Sequence, residues 1–221
     1  MDSVQCSMAQ RQLSLYDLKT SASFHIHANM AADPARRKAT YQDVLDAPDN
    51  VVAEILAGEL YTHPRPAGPH AEAASVLGMD LGGAFHRGRG GPGGWIILYE
   101  PELHLGPDVI VPDLGGWRRE RLAAVPDAAA IELAPDWACE VLSPSTTLVD
   151  RKLKLPIYAR EMVPHVWLVD PKARSVDVFR LDGDSYRLIT TRGEDEVVRL
   201  EPFEAIELEL GALWPQRPGK D

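Results

Sequence analysis

Long apolar runs and an excess of basic residues are missing from this chain of 221 residues, and cysteine is scarce. No stretch approaches the ~20 apolar residues of a transmembrane helix, and the N-terminus has no apolar core of the signal-peptide kind. Only Cys6 and Cys139 are present, which excludes a disulfide framework and predicts a reducing, cytoplasmic location. The seven histidines show no paired ligand spacing, which argues against a zinc enzyme.

The net charge is −10, so the surface as a whole is acidic. Binding to nucleic acid depends on clusters of cations that neutralise phosphates. Short basic clusters do occur, at 36–38, 118–121 and 151–154. A solvated surface explains each of them at least as well. The charge counts against a nuclease, but it leaves room for an enzyme that concentrates carboxylates at a metal site.

Length and patterning predict one domain that follows a tail. Residues 1 to 38 show no sustained period and mix serine, glutamine, alanine and methionine, so a disordered tail is predicted there. Residues 39 to 221 are predicted to form a single domain with one core. The Gly-rich stretch 86–94 is predicted to be a loop without a nucleotide role, because it lacks the Lys-Ser/Thr ending of a P-loop.

Hydrophobic periodicity and turn signals predict the order of elements. They are a short helix at 40–45, a hairpin at 51–62, a helix at 69–86, strands at 95–99, 103–105, 109–114 and 137–142, a helix at 147–160, a strand at 166–171, a hairpin at 175–191, and a last strand with a helical turn at 206–214. This order predicts an α/β fold with a mixed central sheet flanked by helices. The first and last hairpins are additions at its two ends.

A single glutamate, Glu140, lies inside the apolar run 137–142, which has the length and flanking turns of a buried strand. A carboxylate is expensive to bury unless it is paired, protonated or bound to a metal. Asp113 ends an earlier apolar run, and Lys154 lies on the helix after Glu140, so both are candidate partners. Two carboxylates and a lysine suit a metal-dependent phosphodiesterase. A buried ion pair explains Glu140 equally well.

The helix after Glu140 carries Asp150, Lys154 and Tyr158 at intervals of four residues, so they share one face. The simpler explanation is a surface ion pair between Asp150 and Lys154, worth about 0.3–0.5 kcal/mol. Pro156 removes one backbone donor from this helix and predicts a kink there. Pro112-Asp113 is, taken alone, also a common turn element.

Several of these residues together resemble a known family. They are Pro112-Asp113, the segment 140–146, Asp150, Lys154, Tyr158 and the strand 166–171. This set resembles the Uma-type restriction-endonuclease family of the PD-(D/E)XK nuclease superfamily, and the resemblance runs from about Tyr41 to Thr191. It implies a restriction-endonuclease-like core of helix, three strands, helix and strand, in agreement with the order above.

One departure from the superfamily pattern concerns the lysine. Leu142 stands two residues after Glu140, where the superfamily has a lysine. The resemblance implies that this role has moved to the following helix and falls to Lys154, with Lys152 as the alternative.

The resemblance also implies the ligands of a metal ion. Asp113 and Glu140 would hold Mg²⁺, or Mn²⁺ in its place, with the backbone carbonyl of Val141 as a third ligand, since both ions prefer hard oxygen ligands. Lys154 would orient the attacking water or stabilise the developing charge. His70, at the start of the first core helix, is predicted to complete the site, although a capping or solvated histidine fits equally well.

Glu54 and Glu59 also match the family pattern, and Glu59 fits at least as well as a solvated strand residue. Two functions remain open. One is a Mg²⁺-dependent endonuclease that hydrolyses DNA. The other is a catalytically inactive nuclease fold that binds nucleic acid or another partner, as the acidic charge and the missing strand lysine permit. No membrane partner is expected, and the apolar hairpin at 175–191 predicts a homodimer surface by analogy with the superfamily.

Overall fold

Strands make up much of the part of the chain that this computed structural model describes, residues 37–64 and 68–215. They are β1 Val51–Leu56, β2 Glu59–Pro64, β3 Trp95–Tyr99, β4 Leu103–Leu105, β5 Asp108–Ile110, β6 Leu114–Arg118, β7 Trp137–Val141, β8 His165–Asp170, β9 Ser175–Asp182, β10 Ser185–Gly193, β11 Val197–Val198 and β12 Leu208–Glu209. The predicted tail, with Cys6 and Arg36, lies outside the described residues except for Arg37 and Lys38. The prediction of a single domain at 39–221 stays a prediction.

The described helical segments are fewer and shorter. They are α1 Tyr41–Leu45, α2 Gly68–Leu81 with a π-helical turn at Gly82–His86, α3 Thr147–Val149, a π-helical turn at Asp150–Lys154, α4 Leu155–Arg160 and a 3₁₀ turn at Leu210–Leu213. None of the helices described is long and apolar enough to cross a membrane.

The central sheet has the strand order β10-β9-β8-β7-β6-β3 among the described residues. Strands β7 and β8 are parallel, and the other neighbours are antiparallel. A parallel pair needs a long crossover, and here α3, the π-helical turn and α4 provide it. The N-terminal hairpin β1-β2 joins β5 and β4 in a second sheet, called the smaller sheet below. The predicted α/β fold, with a mixed sheet, flanking helices and added hairpins at both ends, is confirmed.

The residues of β7 alternate between two hydrophobic clusters, one on each face of the central sheet. Trp137, Cys139 and Val141 pack in the cluster that contains α2. Ala138 belongs to the other cluster, which contains residues of α4 and of the smaller sheet. Because successive side chains on a strand point to opposite faces, Glu140 faces this second cluster.

The connection that carries Asp113 differs from the prediction. The pattern predicted a strand over 109–114, whereas β5 ends at Ile110 and a separate strand, β6, begins at Leu114. Asp113 therefore lies just before a strand and not at the end of one. Pro112 explains the break, because proline cannot donate a ladder hydrogen bond.

Strand β6 was not predicted, because its two glycines have a low strand propensity. The two glycines allow neighbouring side chains to pack closely against the strand. A Cβ atom on Gly116 would lie 3.0 Å from Ile97 and 3.1 Å from Trp137, so glycine lets these side chains close over the strand. Strand β6 is therefore a core strand and lies between β3 and β7 in the central sheet.

The helical segment after Glu140 accommodates Pro156 in the first turn of α4, directly after the π-helical turn. The N–H of Leu155 donates to the carbonyl of Asp150, five residues back. The turn that precedes the proline is thus wider than an α-helical turn. Such π-helical turns occur frequently at functional sites, and this one carries Asp150 and Lys154.

Candidate active site

Asp113 lies between β5 and β6, and two other elements hold its carboxylate. Its Oδ2 accepts a hydrogen bond of 2.7 Å from the backbone N–H of Val141 on β7. Its Oδ1 lies 3.2 Å from Nε2 of His70, in the first turn of α2. The carboxylate is therefore oriented at the carboxyl end of β7, one residue beyond Glu140.

Glu140 is buried, and both of its oxygens have partners on the helical segment that follows. The hydroxyl of Tyr158 donates to Oε1 at 2.5 Å, and Nζ of Lys154 donates to Oε2 at 3.1 Å. The predicted helix face thus does point at Glu140. Burial raises the pKa of Glu140 well above its usual value, and Asp150 and Asp113 add to the effect while Lys154 opposes it.

Lys154 is surrounded by carboxylates. Its Nζ lies 3.0 Å from Glu54, 3.1 Å from Glu140 and 3.6 Å from Asp150, and it donates to the carbonyl of Val111 at 3.3 Å. Burial by itself would lower the pKa of Lys154, but the carboxylates around it raise that pKa well above its usual value. The side chain is therefore a buried cation.

Glu54, on β1, belongs to the same cluster although sequence reasoning named it only as a match to the family pattern. It is fully buried, and its carboxylate accepts the N–H of Val111 at 2.7 Å and lies 2.6 Å from Nε2 of His63. A lone carboxylate in the apolar run 51–56 is the same signal that singled out Glu140, so Glu54 could have been found. His63 lies just beyond the predicted hairpin at 51–62 and carries no sequence signal of its own, although the structure places it on β2.

The structure separates the remaining candidates. Lys152 and Glu59 are exposed, and neither lines the cavity described below. Lys154, and not Lys152, reaches Glu140. Val141 contributes its N–H to Asp113, and the metal-ligand role of its carbonyl stays a prediction. A further buried carboxylate, Asp108 on β5, lies outside this cluster and pairs with Arg160 of α4.

A cavity of about 40 Å³ opens among these side chains. Its lining residues are Val52, His63, Pro64, His70, Glu100, Val111, Asp113, Glu140, Thr146, Asp150 and Lys154. Four of them are carboxylates, against one lysine and two histidines, so carboxyl groups outnumber the groups that can carry positive charge. Nδ1 of His70 is buried without a hydrogen-bond partner among the described residues.

These features fit a bound cation. Within residues 37–64 and 68–215, no three or more His, Cys, Asp or Glu side chains form a ready metal cage. Mg²⁺ does not need one, because it usually keeps several waters and binds one or two carboxylates. Asp113 and Glu140 supply that number.

The fold is shared with a solved structure, described as the crystal structure of a "putative nuclease belonging to DUF820" from Anabaena variabilis ATCC 29413. The two agree with a TM-score of 0.63 and 21% sequence identity, over 79% of this chain and 97% of that chain. The prediction of a restriction-endonuclease-like core is confirmed at the level of the fold.

The Uma2 family model, described as "Putative restriction endonuclease", matches residues 39–212, which is most of the chain. The protein belongs to this family, and the resemblance drawn from the sequence is confirmed. No curated protein matches the chain.

Proposed function

We propose that this protein is an endonuclease that hydrolyses phosphodiester bonds of DNA with Mg²⁺ as its cofactor. One observation carries the proposal. Asp113, Glu140 and Lys154 come from a loop, a strand and a helix, and they line one small cavity. Membership of a family described as restriction endonucleases supports a nuclease.

Asp113 and Glu140 are the proposed ligands of the ion, with the carbonyl of Val141 as a third protein ligand. Mn²⁺ could replace Mg²⁺, because both prefer oxygen ligands. A bound ion of this kind supplies a water of lowered pKa and neutralises charge on the scissile phosphate.

The other residues orient the two carboxylates and supply positive charge. His70 and the N–H of Val141 hold Asp113, and Tyr158 holds one oxygen of Glu140. Such donors reduce the cost of keeping a carboxylate out of water. Lys154 places its ammonium beside Glu140, where it can stabilise charge that develops on a phosphate or orient the attacking water.

The test is cleavage of supercoiled plasmid and of labelled linear duplex with Mg²⁺, with Mn²⁺ and with EDTA. We expect cleavage only with a divalent ion, and its loss in Asp113→Asn, Glu140→Gln and Lys154→Met. Lys152→Met is the matched control, because that lysine is exposed and two residues away. Equal cleavage by all of these variants would refute the proposal.

A catalytically inactive module that binds nucleic acid is the second candidate. One observation favours it: both oxygens of Glu140 are already bonded, to Tyr158 and Lys154. In that case the wild-type protein binds labelled DNA, cleaves none of it under any metal condition, and keeps the same melting temperature with millimolar Mg²⁺.

We also propose a cytoplasmic homodimer that presents two sites to the two strands of a duplex. Strand β10 lies at one edge of the central sheet, and its Leu188 and Ile189 are 49% and 36% exposed. Light scattering after size exclusion measures the mass in solution. A monomer at every concentration tested would contradict the dimer.

A further inference from the structure

Glu54 and Glu140 share the ammonium of Lys154 almost equally, at 3.0 Å and 3.1 Å. Their other partners differ. Glu54 also accepts the N–H of Val111 and lies beside His63, whereas Glu140 has the hydroxyl of Tyr158. The two carboxylates are therefore not equivalent, although both are buried.

Glu54 also connects the lysine to the loop that carries Asp113. Val111 donates its N–H to Glu54 and accepts a hydrogen bond from Lys154, so both backbone groups of this residue are held. Asp113 follows two residues later. Movement of Glu54 would therefore disturb the lysine and the loop together.

We propose that Glu54 is a positioning residue, whose carboxylate retains Lys154 when a divalent metal ion replaces the lysine at Oε2 of Glu140. The inference rests on the metal site of the proposed function. Without Glu54, the anionic neighbours of the ammonium within 4 Å, among the described residues, are Glu140 and Asp150. A metal ion at Oε2 of Glu140 must displace the lysine in either case, and without Glu54 the displaced ammonium loses its nearest remaining carboxylate.

Binding of Mn²⁺ to the full chain in the absence of DNA measures this role directly. Calorimetry or the electron paramagnetic resonance signal of free Mn²⁺ gives the affinity. Partners outside the first ligand shell typically change metal affinity by about 10–100-fold. We expect Glu54→Gln to weaken Mn²⁺ binding within that range. Glu54→Asp, which keeps the charge, should restore part of the affinity.

Asp108→Asn is the matched control. Asp108 is a buried carboxylate on β5, the strand that pairs with β1, and it too accepts a backbone N–H, from Ala57 at 2.6 Å, and pairs with a cation, Arg160 at 2.7 Å. Its loss should lower the melting temperature and leave Mn²⁺ affinity unchanged. Should Glu54→Gln not fold, His63→Gln removes the support behind Glu54 and is expected to weaken Mn²⁺ binding to a smaller extent.

The outcomes separate the inference from the proposed function. Mn²⁺ affinity that is equal in wild type, Glu54→Gln and His63→Gln overturns the positioning role alone. An equal loss of affinity in Glu54→Gln and Asp108→Asn also overturns it, because the effect is then structural. A wild-type protein that binds no Mn²⁺ at millimolar concentration overturns the metal site itself and the inference with it.

Discussion

Replacement of Lys154 by methionine removes a buried cation and leaves three carboxylates facing one another. The ammonium lies 3.0 Å from Glu54, 3.1 Å from Glu140 and 3.6 Å from Asp150. Loss of one partner of a buried ion pair costs roughly 3–5 kcal/mol, because an uncompensated charge stays buried. For a domain of this length, that corresponds to a fall in melting temperature on the order of 6–20 °C.

The stability lost on replacement of Lys154 by methionine should depend on pH. Burial raises the pKa of Glu140 and of Asp150 in the folded protein. A carboxyl group whose pKa is raised in the folded state costs no stability below the unfolded carboxyl pKa of about 4. It destabilises the fold as the pH rises from there through the folded pKa. The positive charge of Lys154 lowers the pKa of both carboxyl groups and so reduces this cost. The penalty of Lys154→Met is therefore expected to be larger at pH 8 than at pH 5.

Urea unfolding followed by circular dichroism at both pH values measures the difference. Lys152→Met is the control, because it makes the same chemical change at an exposed position of the same turn and should cost less than about 0.5 kcal/mol. If the two variants have the same free energy of unfolding at pH 8, Lys154 does not neutralise this cluster and the reasoning is refuted.

Three further outcomes are expected. Tyr158→Phe removes the 2.5 Å donor to Glu140 and should cost about 1–3 kcal/mol in urea unfolding; an unchanged midpoint would contradict that contact. Gly116→Ala places a Cβ 3.0 Å from Ile97 and should cost about 1–3 kcal/mol, which a thermal melt detects. Mg²⁺ at 100 times its Kd should stabilise the protein by about 2.7 kcal/mol, and a variant with Asp113→Asn should show no such gain at the same Mg²⁺ concentration.

Part of the site could be predicted because its signals are local. A carboxylate in an apolar run stands out without knowledge of its neighbours, which identified Glu140. Spacing by four residues puts Asp150, Lys154 and Tyr158 on one helix face wherever that helix packs. The structure shows that this face meets Glu140.

Other parts depended on contacts between distant segments. Strand β6 contains Gly115 and Gly116, whose low strand propensity hid it, and the need for glycine appears only when Trp137 packs against it. The prediction consequently placed Asp113 at the end of a strand. His63 is joined to Glu54 through the pairing of β1 with β2, in which Val52 lies opposite His63.

The sequence by itself determined which residues could carry charge into the core, because burial periodicity and helix spacing are properties of short segments. Only the tertiary structure decided which of them meet. The choice of Lys154 over Lys152 depends on which side of the π-helical turn faces the sheet. The contact between Lys154 and Glu54 depends on the packing of the smaller sheet against this helical segment. The two residues are a hundred positions apart in the sequence, so no local pattern links them.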